Sequence, residues 1–123
     1  MKSLVTGGCG FIGSHIADKL LDMGHEVVVI DNYSTGRPEN LAHQNGNKRL
    51  KIVEADICDS EKISPYFEGA DWVFHMAALA DIVPSIQRPE DYFHSNVDGT
   101  FSVLQLAKKY EIKRFMYTAS SSC

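Results

Sequence analysis

The nine residues from Thr6 to Ser14, Thr-Gly-Gly-Cys-Gly-Phe-Ile-Gly-Ser, constrain this chain more than any other stretch. Apolar Leu4-Val5 stands before them, and Phe11, Ile12, Ile16, Ala17, Leu20 and Leu21 come after at helical spacing. A short strand therefore ends in closely spaced glycines that open an amphipathic helix. That layout brings backbone N–H groups and the positive end of a helix to one place, which suits a diphosphate. The spacing reads two ways: Gly8, Gly10 and Gly13 form G-x-G-x-x-G, while Gly7, Gly10 and Gly13 form G-x-x-G-x-x-G. Gly10 leaves room for a pyrophosphate against the main chain, and Gly13 lets the helix lie close to the strand. Glycines also serve ordinary tight turns, so the triplet by itself does not make a nucleotide site.

Residues 24–31 decide between turn and nucleotide site. Gly24 stands where a helix C′ residue is expected, and His25-Glu26-Val27-Val28-Val29-Ile30 reads as a buried parallel strand that ends at Asp31. Asp31 lies about twenty residues beyond the glycines, where a dinucleotide fold places the acid that bonds the adenosine ribose. A turn aspartate before Asn32 is the bland alternative. Glycines, helix, strand and acid in register favour the nucleotide.

The alternation continues. Residues 33–48 are polar loop with a helical turn at 38–42, and 50–55 form a third strand ending at Asp56-Ile57. A short helix capped by Ser60 runs to Phe67, with Pro65 limiting its regularity. Residues 71–76 form a fourth strand that runs into Ala77-Ala78-Leu79-Ala80. Small residues at that end either clear a ligand crevice or pack a strand end tightly, and sequence alone leaves both open. A long helix is expected over 89–109, with Tyr92, Phe93, Val97, Phe101, Leu104 and Ala107 on its apolar face, and a fifth strand over 113–117. The expected fold is α/β, a doubly wound, Rossmann-like parallel sheet of about five strands in order 3-2-1-4-5, in one domain over 1–123.

Composition narrows the function classes. Hydrophobic residues make up 44% and charged residues 23%, an ordinary globular balance. The net charge of −4, without a Lys/Arg run, gives no reason to expect nucleic acid as a partner. No apolar run has the length of a membrane span and Met1-Lys2 leads straight into the first strand, so a cytoplasmic location is expected. Cys9, Cys58 and Cys123 have no metal-ligand spacing and read as free thiols; no metal is expected.

Thr6-Gly7-Gly8-Cys9-Gly10-Phe11-Ile12-Gly13-Ser14-His15, followed by Asp31-Asn32-Tyr33-Ser34-Thr35-Gly36, resembles the extended short-chain dehydrogenase/reductase family, within it the NAD-dependent nucleotide-sugar epimerases and dehydratases, UDP-glucose 4-epimerase among them. The resemblance implies NAD as cofactor. It places Phe11 and Ile12 against the pyrophosphate through their backbone N–H groups, and Asp31 and Asn32 on the adenosine ribose. Asp56 would accept from the adenine amine, with Ile57 beside it; a local turn or cap role for Asp56 stays open. Ala77, Ala78 and Ala80 would line the path to the nicotinamide. Asn96, in Asn96-Val97-Asp98-Gly99-Thr100, resembles the family's Asn-x-x-Gly-Thr motif and would approach the cofactor, or would satisfy backbone groups instead. Ser120 matches the serine of the catalytic Ser-Tyr-Lys set, whereas His75 inside a strand reads as a core histidine.

The sequence departs from the family in one respect: no Tyr-x-x-x-Lys occurs in it. That tyrosine is the general acid/base and the lysine lowers its pKa, so these 123 residues alone are expected to bind NAD without turnover. The expectation is the NAD-binding portion of a nucleotide-sugar epimerase or dehydratase, with the substrate part absent. A stand-alone NAD-binding or regulatory module is the alternative. The fifth strand offers an open edge, through which self-association is expected.

Overall fold

The computed structural model describes residues 1–79 and 82–119. The elements run β1 (Lys2–Thr6), α1 (Phe11–Asp22), β2 (Glu26–Asp31), a 3₁₀ segment (Pro38–Gln44), β3 (Leu50–Glu54), α2 (Ser60–Phe67) and β4 (Trp72–His75). They continue with α3 (Ile82–Gln87), α4 (Pro89–Phe93), a π-helical turn (His94–Asp98), α5 (Gly99–Lys109) and β5 (Arg114–Tyr117). All five strands pair in parallel in one sheet of order β3-β2-β1-β4-β5, the expected topology.

Strand alternation sorts the core into two layers. On one face Leu4, Ile30, Val53 and Val73 pack with Ile63 and Phe67 of α2 and Val103 and Leu106 of α5. On the other, Val5, Val27 and Val29 pack with Ala17, Leu20 and Leu21 of α1 and with Leu41 of the 3₁₀ segment. Covering both faces is why β2 reads as a continuous apolar run. Pro65 inside α2 costs on the order of 3 kcal/mol. Fully burying Ile63 and Phe67 stabilises by about 1.5–3 kcal/mol each, enough to hold α2 in place.

Two local expectations are corrected. The cap of α2 is Asp59, whose side chain accepts from the Lys62 N–H, and Ser60 is the first helical residue. The helical path over 89–109 is interrupted by the π turn, which adds a residue and rotates α5 relative to α4. One 3.6-residue stripe cannot run through it. The buried face of α5 is Gly99, Val103, Leu106 and Ala107, while Phe93, Val97, Phe101 and Leu104 are exposed.

Cys9 and Cys58 are free thiols; Cys123 lies outside the described residues. Among the described residues, no helix is long and apolar enough to cross a membrane. The far edge of the sheet is β5, paired only with β4 among the described residues, with Met116 and Tyr117 exposed.

Candidate functional site

The loops that leave the carboxyl ends of β1, β2, β3 and β4 converge on a cleft of about 450 Å³. Its walls include Gly7 and Gly10 from the first loop, Asp31 and Asn32 from the second, Asp56 and Ile57 from the third, and Ala77 and Ala78 from the fourth. The cleft sits where the strand order reverses, between β1 and β4, the crevice that open α/β sheets use for ligands.

The glycine loop is built by close backbone approach. Gly7 has φ +68°, and a Cβ on it would lie 2.8 Å from the backbone of Ala77. A Cβ on Gly13 would lie 2.2 Å from the Gly7 carbonyl oxygen, so α1 presses directly on the turn below it. Gly10 caps α1 in extended conformation, and the first turn holds no acidic residue. The N–H groups of Phe11 and Ile12 belong to the set that a helix leaves without internal acceptors, and no carboxylate in that turn takes up the positive end of the dipole. The Phe11 and Ile12 side chains are 77% and 59% exposed, so any role in the cleft belongs to their backbone.

Asp31 is buried and works in two directions. Its Oδ2 accepts from the Cys9 N–H at 2.9 Å and its Oδ1 from the Tyr33 N–H at 2.8 Å. Each oxygen has further lone-pair capacity, so Asp31 can fix the glycine loop and still accept from a hydroxyl in the cleft. The Cys9 carbonyl is held from the other side, by the Arg37 N–H at 3.0 Å and the Asn40 Nδ2 at 2.7 Å. The Cys9 peptide is thereby clamped at both ends by the segment after β2. Burial and the Asp31 charge push the Cys9 thiol up, leaving it protonated.

Asp56 both lines the cleft and makes a local turn, accepting the Cys58 N–H at Oδ1, 2.9 Å. Burial opposes its ionisation, but the Cys58 N–H and the His94 ring outweigh that and hold the carboxyl below its ordinary pKa.

Below Ala77 runs a buried chain of polar groups. Thr100 Oγ1 donates to the Asn96 carbonyl, so it accepts from His75 Nε2 at 2.8 Å; His75 Nδ1 then accepts from Thr6 Oγ1 at 2.7 Å. Thr6 Oγ1 in turn accepts the N–H groups of Met76 and Ala77. Burial lowers the His75 pKa to about 4, so the ring is neutral and holds the cleft floor, the core role expected of it.

Asn96 does not line the cleft. Its amide clamps Leu79 instead, donating to the Leu79 carbonyl at 2.9 Å and accepting its N–H at 2.8 Å, the backbone-satisfying alternative. By fixing Leu79 it fixes the wall that Ala77 and Ala78 form. Ala80 and Ser120 lie outside the described residues. Sequence reasoning missed Arg88, Asp91, His94 and Ser95 on the far wall, because only the fold-back of α4 and the π turn brings them there. It also missed Asn40, whose only sequence signal was the helical turn at 38–42.

Comparison with known proteins agrees with this geometry. Residues 3–123 match the model of the NAD dependent epimerase/dehydratase family. UDP-glucuronic acid decarboxylase 1 of Arabidopsis thaliana is 40% identical over 121 residues, covering 98% of this chain and 26% of that protein. The UDP-N-acetylglucosamine 4-epimerase of Methanobrevibacter ruminantium M1, solved with UDP-N-acetylmuramic acid, superposes with a TM-score of 0.91 at 38% identity, covering 98% of this chain and 38% of that one. The UDP-glucose 4-epimerase of Bifidobacterium longum, solved with NAD+ and UDP, gives 0.89 at 32%, covering 99% and 38%. The chain thus spans between about a quarter and two fifths of the length of these relatives.

Proposed function

Because this chain belongs to the NAD dependent epimerase/dehydratase family, we propose that it is the NAD-binding portion of an enzyme that oxidises a carbon of a nucleotide sugar and returns the hydride. The observation that carries the reading is the convergence in one cleft of the glycine loop under α1, Asp31, Asp56 and the small wall of Ala77 and Ala78. These residues fit the dinucleotide: the first turn of α1 has free donors for a diphosphate, Asp31 has spare acceptor capacity for a ribose, and Gly10 leaves its side of the cleft clear.

NAD, when bound, supplies a hydride acceptor for the sugar carbon. The chain's own residues bind and orient. The N–H groups of Phe11 and Ile12 take the diphosphate, Asp31 and Asn32 the adenosine ribose, and Asp56 the adenine amine beside Ile57. Ala77 and Ala78 leave room toward the nicotinamide, with Asn96 holding that wall through Leu79. Ser120 and Ala80 keep the roles that the family pattern gives them, hydrogen bonding to the substrate oxygen and lining the nicotinamide path. No Tyr-x-x-x-Lys occurs, so these residues by themselves bind NAD without turnover. Self-association through the β5 edge belongs to the same reading.

Calorimetric titration tests it. NAD+ binds, and NADP+ binds at least about tenfold more weakly, because a 2′-phosphate meets the Asp31 carboxylate. Asp31→Asn narrows that gap. Tighter NADP+ than NAD+ binding overturns the Asp31 assignment, and absence of binding to both overturns the reading.

A further inference from the structure

One cluster at the cleft adds to Asp56 a thiol and an imidazole that the proposed dinucleotide binding does not use. Asp56 and Cys58 leave β3, while His94 opens the π turn, and one donor atom from each lies within 4.8 Å of the others. Asp56 Oδ2 stands 3.4 Å from His94 Nε2, and Cys58 Sγ donates to the His94 carbonyl at 3.3 Å. The Asp56 carboxylate is aimed by the Cys58 N–H on its other oxygen. His94 Nδ1 faces Asp98 Oδ2 at 3.7 Å, the carboxylate support that metal-bound imidazoles commonly have.

We propose that Asp56, Cys58 and His94 form a site for a zinc-class divalent ion, and that this ion and the adenine end of the dinucleotide exclude each other. The coordination stands on the three side chains alone; the exclusion rests on the proposed cofactor role, in which Asp56 holds the adenine amine. One sulfur, one imidazole nitrogen and one carboxylate oxygen match zinc, cobalt or cadmium, and a thiolate and an imidazole suit magnesium and calcium poorly. Around zinc, ligand atoms at about 2.0–2.3 Å from the metal lie about 3.5 Å apart, so the trio closes by about 1 Å on binding. Asp56 and His94 are exposed and Cys58 half-buried, which permits that movement and leaves the fourth position to water. As the Sγ–metal bond forms, the Cys58 S–H bond breaks and its proton leaves to solvent. The Asp56 carboxylate beside the thiol favours a dication in the proton's place. Sequence spacing hides the site, since His94 lies 36 residues beyond Cys58.

Co²⁺ and Zn²⁺ titrations of the whole chain without cofactor test the coordination. One equivalent of Co²⁺ is expected to give a thiolate-to-cobalt charge-transfer band that Zn²⁺ abolishes and Mg²⁺ leaves unchanged. Cys58→Ser removes the band at an unchanged unfolding midpoint, and Asp98→Asn weakens Co²⁺ binding about tenfold. Absence of the band, or its survival in Cys58→Ser, overturns the site. NAD+ titration with and without Zn²⁺ tests the exclusion: the ion lowers NAD+ affinity in the parent and not in Cys58→Ser. Unchanged NAD+ affinity in a chain that shows the band overturns the exclusion. A chain that shows the band and never binds NAD+ overturns the cofactor reading and the exclusion, while the coordination stands.

Discussion

Replacing Gly13 by alanine puts a methyl group against the tightest glycine contact in the loop. The added Cβ would lie 2.2 Å from the Gly7 oxygen and 3.0 Å from both the Gly7 carbonyl carbon and the Gly8 Cα. Ordinary contact needs roughly 1 Å more than the shortest of these, and all three atoms are backbone, so no side chain can swing aside. Alanine in a helix gains up to about 1 kcal/mol over glycine, which opposes the clash. Overpacking of this kind costs about 1–3 kcal/mol, and a contact made only with backbone belongs at the upper end. The expected net loss is about 2 kcal/mol, or on the order of 8 °C in Tm for a domain of this size. The first turn of α1 is lifted off its loop, so NAD+ affinity falls as well. Gly10→Ala is the matched contrast. Its φ is −73° and its Cβ would meet only the Gly7 oxygen, at 3.3 Å, so stability moves by no more than about 0.5 kcal/mol. Yet Gly10 lines the cleft, and NAD+ binding weakens about tenfold or more. Urea unfolding with constant m value, paired with calorimetry, separates the two effects. A Gly13→Ala chain as stable as the parent, or a Gly10→Ala chain that binds NAD+ equally well, refutes the packing argument.

His75 makes stability depend on acid. Its folded pKa of about 4 lies below the ordinary 6.5, so between those values the unfolded chain binds the extra proton. Stability therefore falls as pH drops from about 6.5 to about 4, by about 3 kcal/mol in all. Urea midpoints show that loss in the parent and a smaller one in His75→Gln, and an NMR titration finds the ring still neutral at about pH 5.5. Asn40→Ala leaves the Cys9 carbonyl with the Arg37 N–H alone, which costs about 1 kcal/mol and lowers NAD+ affinity; unchanged binding removes Asn40 from the loop's support. Light scattering over a concentration series reports association that Met116→Lys reduces, and a monomer at every concentration rules out the β5 edge as a contact.

The parts of the fold legible in the sequence are those where one constraint dominates. The β-branched run of residues 26–31 reads as a strand covered on both faces, the glycines with Asp31 point to the loop and the helix behind it, and the alternation of strands and helices along the chain points to the sheet and its order. Region 89–109 was less legible, because periodicity finds an apolar stripe and does not say which face the sheet takes. Val103 and Leu106 meet α2, and the stronger-looking set of Phe93, Val97, Phe101 and Leu104 stays outside. Asn96 carried a recognisable motif, but its contact with Leu79 depends on a helix bend that no spacing encodes. Cys58 and His94 meet for the same reason.

With Asp31 at the ribose and the glycine loop at the diphosphate, as proposed above, the double hold on the Cys9 peptide would tie cofactor choice to phosphate grip. Whoever exchanges Asp31 for a small residue to admit a 2′-phosphate also cuts the acceptor from the Cys9 N–H and from the Tyr33 turn, where φ is +59° in a residue that is not glycine. On that proposal, selectivity at the ribose and affinity at the diphosphate would move together, and a single exchange would lose both. A redesign that switches dinucleotide must first give the Cys9 N–H a new acceptor, from a neighbouring side chain or a lodged water, before any positive charge is added near Arg37.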